Sequence, residues 1–155
     1  MKDCTTSGVL VDTSVLCRPA NTADSFYTVA TRSVLQLHRA GEVLHVTPQN
    51  LIEFRSVATR PVAANGLGLS REDAEIKTDA FEAAFALLAD TPEVYPAWKN
   101  LVGALGVVGK QVHDARLVAL CHTYGLTHLL TFNTQHVSRM SAYGPGLTVV
   151  NPANF

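Results

Sequence analysis

Short apolar runs, each closed by a polar residue, alternate along this chain with longer stretches of helical period. That alternation restricts the fold to the α/β class with a largely parallel sheet. The first run is GVLV, in which Val9, Leu10 and Val11 read as a buried strand that stops at Asp12. Residues 22–40 read as a helix, capped by Asn21 or Thr22 and stopped by Gly41, with Val29, Ser33, Val34 and Leu37 inward. Residues 43–46 form a second strand. Thr47-Pro48 then opens a helix through Leu51, Ile52, Phe54 and Val57, which ends before Pro61. Residues 62–69 read as a loop. Ser70 caps a long helix through Leu88 with Ile76, Ala80, Phe81, Ala84, Phe85 and Leu88 as its apolar stripe. Further helices are expected over 96–104 and 111–124, separated by GVVG at 106–109, the second stopped by Gly125. A strand over 128–131, a short helix from Thr134 and a last strand over 147–150 complete the pattern.

With 155 residues, 47% apolar and 16% charged, the chain is expected to form a single domain spanning 1–155, a small sheet with a helical insertion in its middle. Its apolar runs are too short for a membrane span, and the opening MKDCTTSG, with Asp3, lacks a signal-peptide stretch. A cytoplasmic location with no membrane partner is the expectation. The net charge is −1, so overall charge does not point to nucleic acid. Residues 72–82 carry five acids and one base and read as a solvated helix face, leaving the rest of the chain at +3. Cys4, Cys17 and Cys121 are odd in number and lack CxxC spacing, against a disulfide framework or structural zinc. The sequence holds no HExxH, P-loop or GxGxxG.

In open parallel sheets, ligands gather beyond the carboxyl ends of the strands. Asp12 closes the first strand, Glu53 lies on the helix after the second, Asp114 opens the helix after GVVG, and Asn133 follows the strand Leu129-Leu130-Thr131. Three carboxylates and an amide oxygen are the hard donors that Mg²⁺ or Mn²⁺ prefers. Gathered without a cation they would repel, and a carboxylate pKa would rise. Singly, each residue has a plain alternative: a turn at Asp12, a solvated face at Glu53, a dipole-favoured acid at Asp114, an N-cap at Asn133.

Four segments in this order carry a resemblance: VDTSVL at 11–16, QNLIEFRSVATRP at 49–61, HDARLVA at 113–119 and LLTFNTQHVSR at 129–139. The chain resembles PIN-domain proteins, and more narrowly the VapC-type toxin ribonucleases of toxin–antitoxin pairs. The resemblance implies an α/β/α sandwich, a small parallel sheet flanked by helices with acids at one end. It implies Mg²⁺- or Mn²⁺-dependent endoribonuclease activity, with Asp12, Glu53, Asp114 and Asn133 as catalytic residues and Asp12 and Asp114 as principal metal ligands. Thr13 and Ser14 match the hydroxyl residues after the first acid. Two positions depart from the pattern. Asn133 stands where an acid is common, which implies weaker binding of a second ion, and His136 stands where an acid is frequent.

Bases near these segments are candidates to hold RNA: Arg18, Arg55, Arg60, Lys110 and Arg116, with Ser14 joining Arg60, Lys110 and Arg116 as substrate-binding residues. Phe54 and Phe132 are expected in the core, and His113, beside Asp114, as a packing residue or a support to the ligands rather than a ligand itself. The resemblance further implies a VapB-like antitoxin and a homodimer. Two rivals are weighed. An aspartyl-phosphate enzyme would need a second nearby acid, where Ser14 stands, or a lysine after a late strand, which is missing. A non-catalytic PIN-like module binding RNA or protein is supported only by Asn133.

Overall fold

The computed structural model describes residues 8–155; Asp3 and Cys4 lie outside them. Within the described residues, five parallel strands run in the order β3-β2-β1-β4-β5. They are β1 (Gly8–Val11), β2 (Val43–Val46), β3 (Ala86–Leu87), β4 (His128–Leu130) and β5 (Thr148–Val150). The helices are α1 (Thr13–Leu16), α2 (Tyr27–Arg39), α3 (Pro48–Thr59), α4 (Arg71–Ala84), α5 (Val94–Leu105), α6 (Gln111–Tyr124) and α7 (Thr134–Ser141). β1 pairs with β2 on one side and β4 on the other, so chain order reverses at its carboxyl end, where Asp12 stands.

The period of two along the strands divides the core in two. Val9, Val11, Leu44, Val46 and Leu130 pack with Phe54 of α3 on one face. Leu10 and Leu129 pack with Leu101, Leu117, Val118 and Val137 of α5, α6 and α7 on the other. Helices therefore cover both faces of the sheet, the α/β/α sandwich expected. No helix among the described residues is long and apolar enough to cross a membrane.

Several local readings hold. Thr47 caps α3 in a reciprocal box with Asn50, Ser70 Oγ accepts from the Asp73 N–H at 3.0 Å, and Gly125 ends α6 at φ 68°. The acids of α4 are all exposed. Cys17 and Cys121 are free.

Three readings change. Helix α2 begins at Tyr27, not at residue 22, because Asn21 and Asp24 spend their side chains on the turn N–H groups of Ala23 and Phe26 (3.1 and 2.8 Å). The long helix ends at Ala84, since Ala86–Leu87 leave it to pair with His45 and Val46 as an edge strand. Its inward face also differs: Ala74 is buried with Phe81 and Phe85 against the core, while Ile76 is 65% exposed. Ile52, placed in the apolar run of α3, is likewise exposed.

The 62–69 loop folds back on α3. Leu67 and Leu69 N–H groups bond the Val57 and Ala58 carbonyls, and Gly68 bonds that of Arg60. Gly66 passes so close that a Cβ there would lie 2.0 Å from the Arg60 carbonyl oxygen, so only glycine fits.

Candidate active site

Asp12 is the residue before α1, yet its carboxylate makes no capping bond. Its Oδ2 instead accepts the hydroxyls of Ser14 and Thr131, each at 2.7 Å. Those two oxygens in turn accept backbone N–H groups: Phe132 donates to Ser14 Oγ at 3.2 Å and Asn133 to Thr131 Oγ1 at 2.9 Å. A backbone amide can only donate, so each hydroxyl is left to give its proton to Asp12. Hydrogen bonds to a charged group contribute about 1.5–3 kcal/mol each. They offset the cost of holding a carboxylate at 5% exposure.

Glu53 is fixed by a second network. Thr13 Oγ1 donates to Oε2 and Gln49 Nε2 to Oε1, both at 2.9 Å. Gln49 Nε2 also reaches the His113 carbonyl at 3.1 Å, and its Oε1 accepts from Arg116 at 2.9 Å. Arg116 closes the chain on Asp90 at 2.6 Å.

Asp114, in the first turn of α6, is half-buried, and its pKa is raised. Burial is the main cause and the charge of Asp12 the next; Glu53 adds to it, and His136 and His113 pull the other way. His136 Nδ1 stands 3.6 Å from Asp114 Oδ2. Asn133 precedes α7 but makes no side-chain cap bond, so its amide is not spent on the helix.

Asp12, Glu53, Asp114 and Asn133 all line one cavity of about 350 Å³, together with Ser14 and Arg60. Residues 41, 61 and 19 positions apart thus meet at the sheet's switch point. Arg116 lies in the neighbouring cavity, shared through Glu53, and Lys110 is the exposed residue before α6. Arg55 is ion-paired with Glu75, and Arg18 with Asp24. His113 is exposed and, beside Asp114, supports the site through its charge and through the carbonyl that Gln49 bonds. Phe54 is fully buried, edge-on to Phe81 at 4.9 Å, but Phe132 is only half-buried.

The donor set fits a hard divalent cation. Cys17 also lines the cavity, but burial and the Asp12 charge push its thiol up to about 12, which leaves oxygen ligands. The raised Asp114 pKa, due first to burial and next to the charge of Asp12, is a cost that a cation would relieve. Among the described residues, no three acidic, His or Cys side chains stand close enough to hold one ion as placed.

Thr131, Gln49 and Asp90 of these networks escape the sequence reading. Thr131 sits two positions before Asn133, and its signal is a hydroxyl at a strand's carboxyl end. Gln49 sits four positions before Glu53, on the same helix face, which is the spacing at which side chains meet.

A PIN-domain family model matches residues 9–142. The chain belongs to the PIN domain family. Comparison with curated protein sequences finds no match. Among solved structures, this PIN domain is similar to FitAcB from Neisseria gonorrhoeae, with TM-score 0.68, 14% identity and coverage of 95% of this chain and 99% of that one. It is similar to VapBC2 from Rickettsia felis, solved bound to a DNA fragment from its promoter, with TM-score 0.66, 15% identity and coverage of 92% and 97%. It is also similar to Mycobacterium tuberculosis VapC20, a sarcin–ricin loop cleaving toxin, with TM-score 0.64, 17% identity and coverage of 84% and 94%. Identities this low speak to the fold, and they agree with the sandwich described above.

Proposed function

We propose that this PIN domain is a Mg²⁺- or Mn²⁺-dependent endoribonuclease, the toxin of a VapBC-type toxin–antitoxin pair. The observation that supports the reading most is the single cavity lined by Asp12, Glu53, Asp114 and Asn133 at the switch point of the sheet. Family membership and the toxin structures of like fold support it further.

Asp12 and Asp114 would hold the cation. Glu53 and Asn133 would complete its surroundings directly or through water. Bound there, the cation supplies Lewis acidity toward water and a phosphoryl oxygen. Ser14 and Thr131 hold Asp12 in place and steady its charge. Thr13 and Gln49 orient Glu53, whose carboxylate can position an attacking water in line with the phosphorus. Arg60, at the cavity rim and 3.3 Å from Ser56 Oγ, offers charge to the phosphate backbone. Arg116 would act on substrate only through the Gln49–Glu53 network, because its guanidinium is engaged by Asp90 and Gln49. A VapB-like antitoxin and a homodimer belong to the same reading. Exposed Ile52, Ile76, Tyr95 and Val108 are apolar surface that such partners could cover.

Asn133 and the spread of the acids favour one other reading, a non-catalytic module that binds RNA or protein. One experiment separates the two. Purified protein is incubated with total RNA in Mg²⁺ or Mn²⁺, with chelator and Asp12→Ala as controls. Cation-dependent cleavage lost in the variant supports the nuclease; equal cleavage by both proteins, or none by either, sinks it.

A further inference from the structure

The acidic cavity does not end at the carboxylates. Ser14, Cys17 and Val57 also line a second cavity of about 460 Å³, whose far side holds Arg18 and Asp24. Arg18 lies there beside two aromatic rings that also touch each other, its guanidinium carbon 5.2 Å from the Phe26 centroid and 5.5 Å from that of Phe132. The rings themselves are 5.3 Å apart. Phe132 stands beside the site, between Thr131 and Asn133, and its N–H bonds Ser14 Oγ. Phe26 is 43% exposed, so it is not a core ring.

Charge narrows what this cluster can take. Asp24 bonds Arg18 at 2.9 Å, which compensates the guanidinium charge and holds it beside the rings. A compensated arginine is a poor phosphate anchor but a good stacking surface. An exposed phenyl ring beside a planar guanidinium suits a flat, neutral, polarisable partner. Bases within a duplex hide their faces, whereas an unpaired base presents them.

We propose that Phe26 and Arg18 form a stacking site for one unpaired RNA base next to the bond cleaved in the acidic cavity. The proposal rests on the nuclease reading and names the form of RNA that the cavity takes. The cluster selects for single-stranded or splayed RNA whatever the sequence, because every base has a stacking face.

The test is fluorescence-anisotropy binding without divalent cation, so that the RNA stays intact. The probes are single-stranded octa-adenylate and an octamer of the same ribose-phosphate backbone without bases. Wild type is expected to bind octa-adenylate about tenfold more tightly than the base-free octamer. Phe26→Ala removes that preference and leaves binding of the base-free octamer unchanged; Phe26→Trp keeps the preference. Thermal unfolding of the variants verifies that they are folded. A wild type without preference for the bases, or a Phe26→Ala variant that retains it, overturns the stacking site. Failure of the nuclease reading shows separately, as absence of cleavage that depends on Asp12.

Discussion

On the strand side of the cavity, Asp12 is almost fully buried, and its Oδ2 takes two hydroxyls that backbone amides orient. On the helix side, Asp114 is held more loosely: His136 approaches only to 3.6 Å, and the Asn133 amide makes no cap bond. The strand side belongs to the sheet, where β1 and β4 are paired residue by residue. The helix side belongs to the first turn of α6 and the start of α7, which pack on the sheet by side chains. The difference teaches how a cluster of like charges can exist before a cation arrives. One carboxylate is anchored by donors, and the other, half-buried with a raised pKa, is left without them among the described residues.

The largest expected effect comes from removing the anchor. Asp12→Ala should lower cation-dependent RNA cleavage by about 10³-fold or more, since a cation's charge stabilisation is worth several kcal/mol and each 1.36 kcal/mol is tenfold. Single-turnover cleavage of labelled RNA measures it. If Asp114→Asn costs far more than Asp12→Ala, the roles of the two sides are reversed.

Loss of one orienting hydroxyl should be smaller. Thr131→Val leaves Asp12 with one donor and the Asn133 N–H with none, at a cost of about 1–3 kcal/mol in thermal or denaturant unfolding. Thr131→Ser should recover most of it. A neutral outcome for the valine variant would mean that the strand side is not held by these bonds.

The helix side predicts an opposite sign. Asp114 has a folded pKa above its ordinary value of 3.8. Between the unfolded and the folded value the native state therefore binds more protons, and its stability falls as pH rises through that window. Without divalent cation, Asp114→Asn should thus melt a few degrees higher than wild type at neutral pH, and the gain should vanish below the ordinary carboxylate range. Saturating Mg²⁺ or Mn²⁺ should stabilise the wild type by mass action, by about 2.7 kcal/mol at a hundred times Kd, and so raise its melting point. The variant should respond less. Equal responses would remove Asp114 from the ligand set.

The smallest effect belongs to the network that steers Glu53. Gln49→Ala should slow cleavage by about tenfold, the scale of one lost hydrogen bond to a charged group. Arg116→Ala should act in the same direction and add little to Gln49→Ala in the double variant, because the two share one chain of bonds.

The start of α2 departs from the sequence reading for a local reason, the side-chain turns of Asn21 and Asp24, whereas the other departures come from long-range packing. The Phe85–Leu88 run carries apolar residues at a helical spacing that continues α4, and only β2 lying alongside turns Ala86–Leu87 into a strand. Ile52 and Ile76 are apolar at positions that periodicity points inward, yet the faces buried between α3 and α4 are those of Phe54, Ala74 and Phe81. Phe132, expected in the core, packs against its edge and stays half-buried beside Arg18 after the turn that follows β4.

From its residues alone, this chain declared four of the five strands, the longer helices, the helix start at Thr47-Pro48, the cap at Ser70, the stop at Gly125, and the four polar residues at element ends. These are local matters of period, dihedral preference and side-chain capping, which act within a few residues. The meeting of Asp12, Glu53, Asp114 and Asn133 at one cavity was decided by the sheet order, which no local preference encodes. So was the pairing of each acid with its donors. Thr131 lies 119 residues from Asp12, and a hydrogen bond over that separation exists only because β1 and β4 are neighbours.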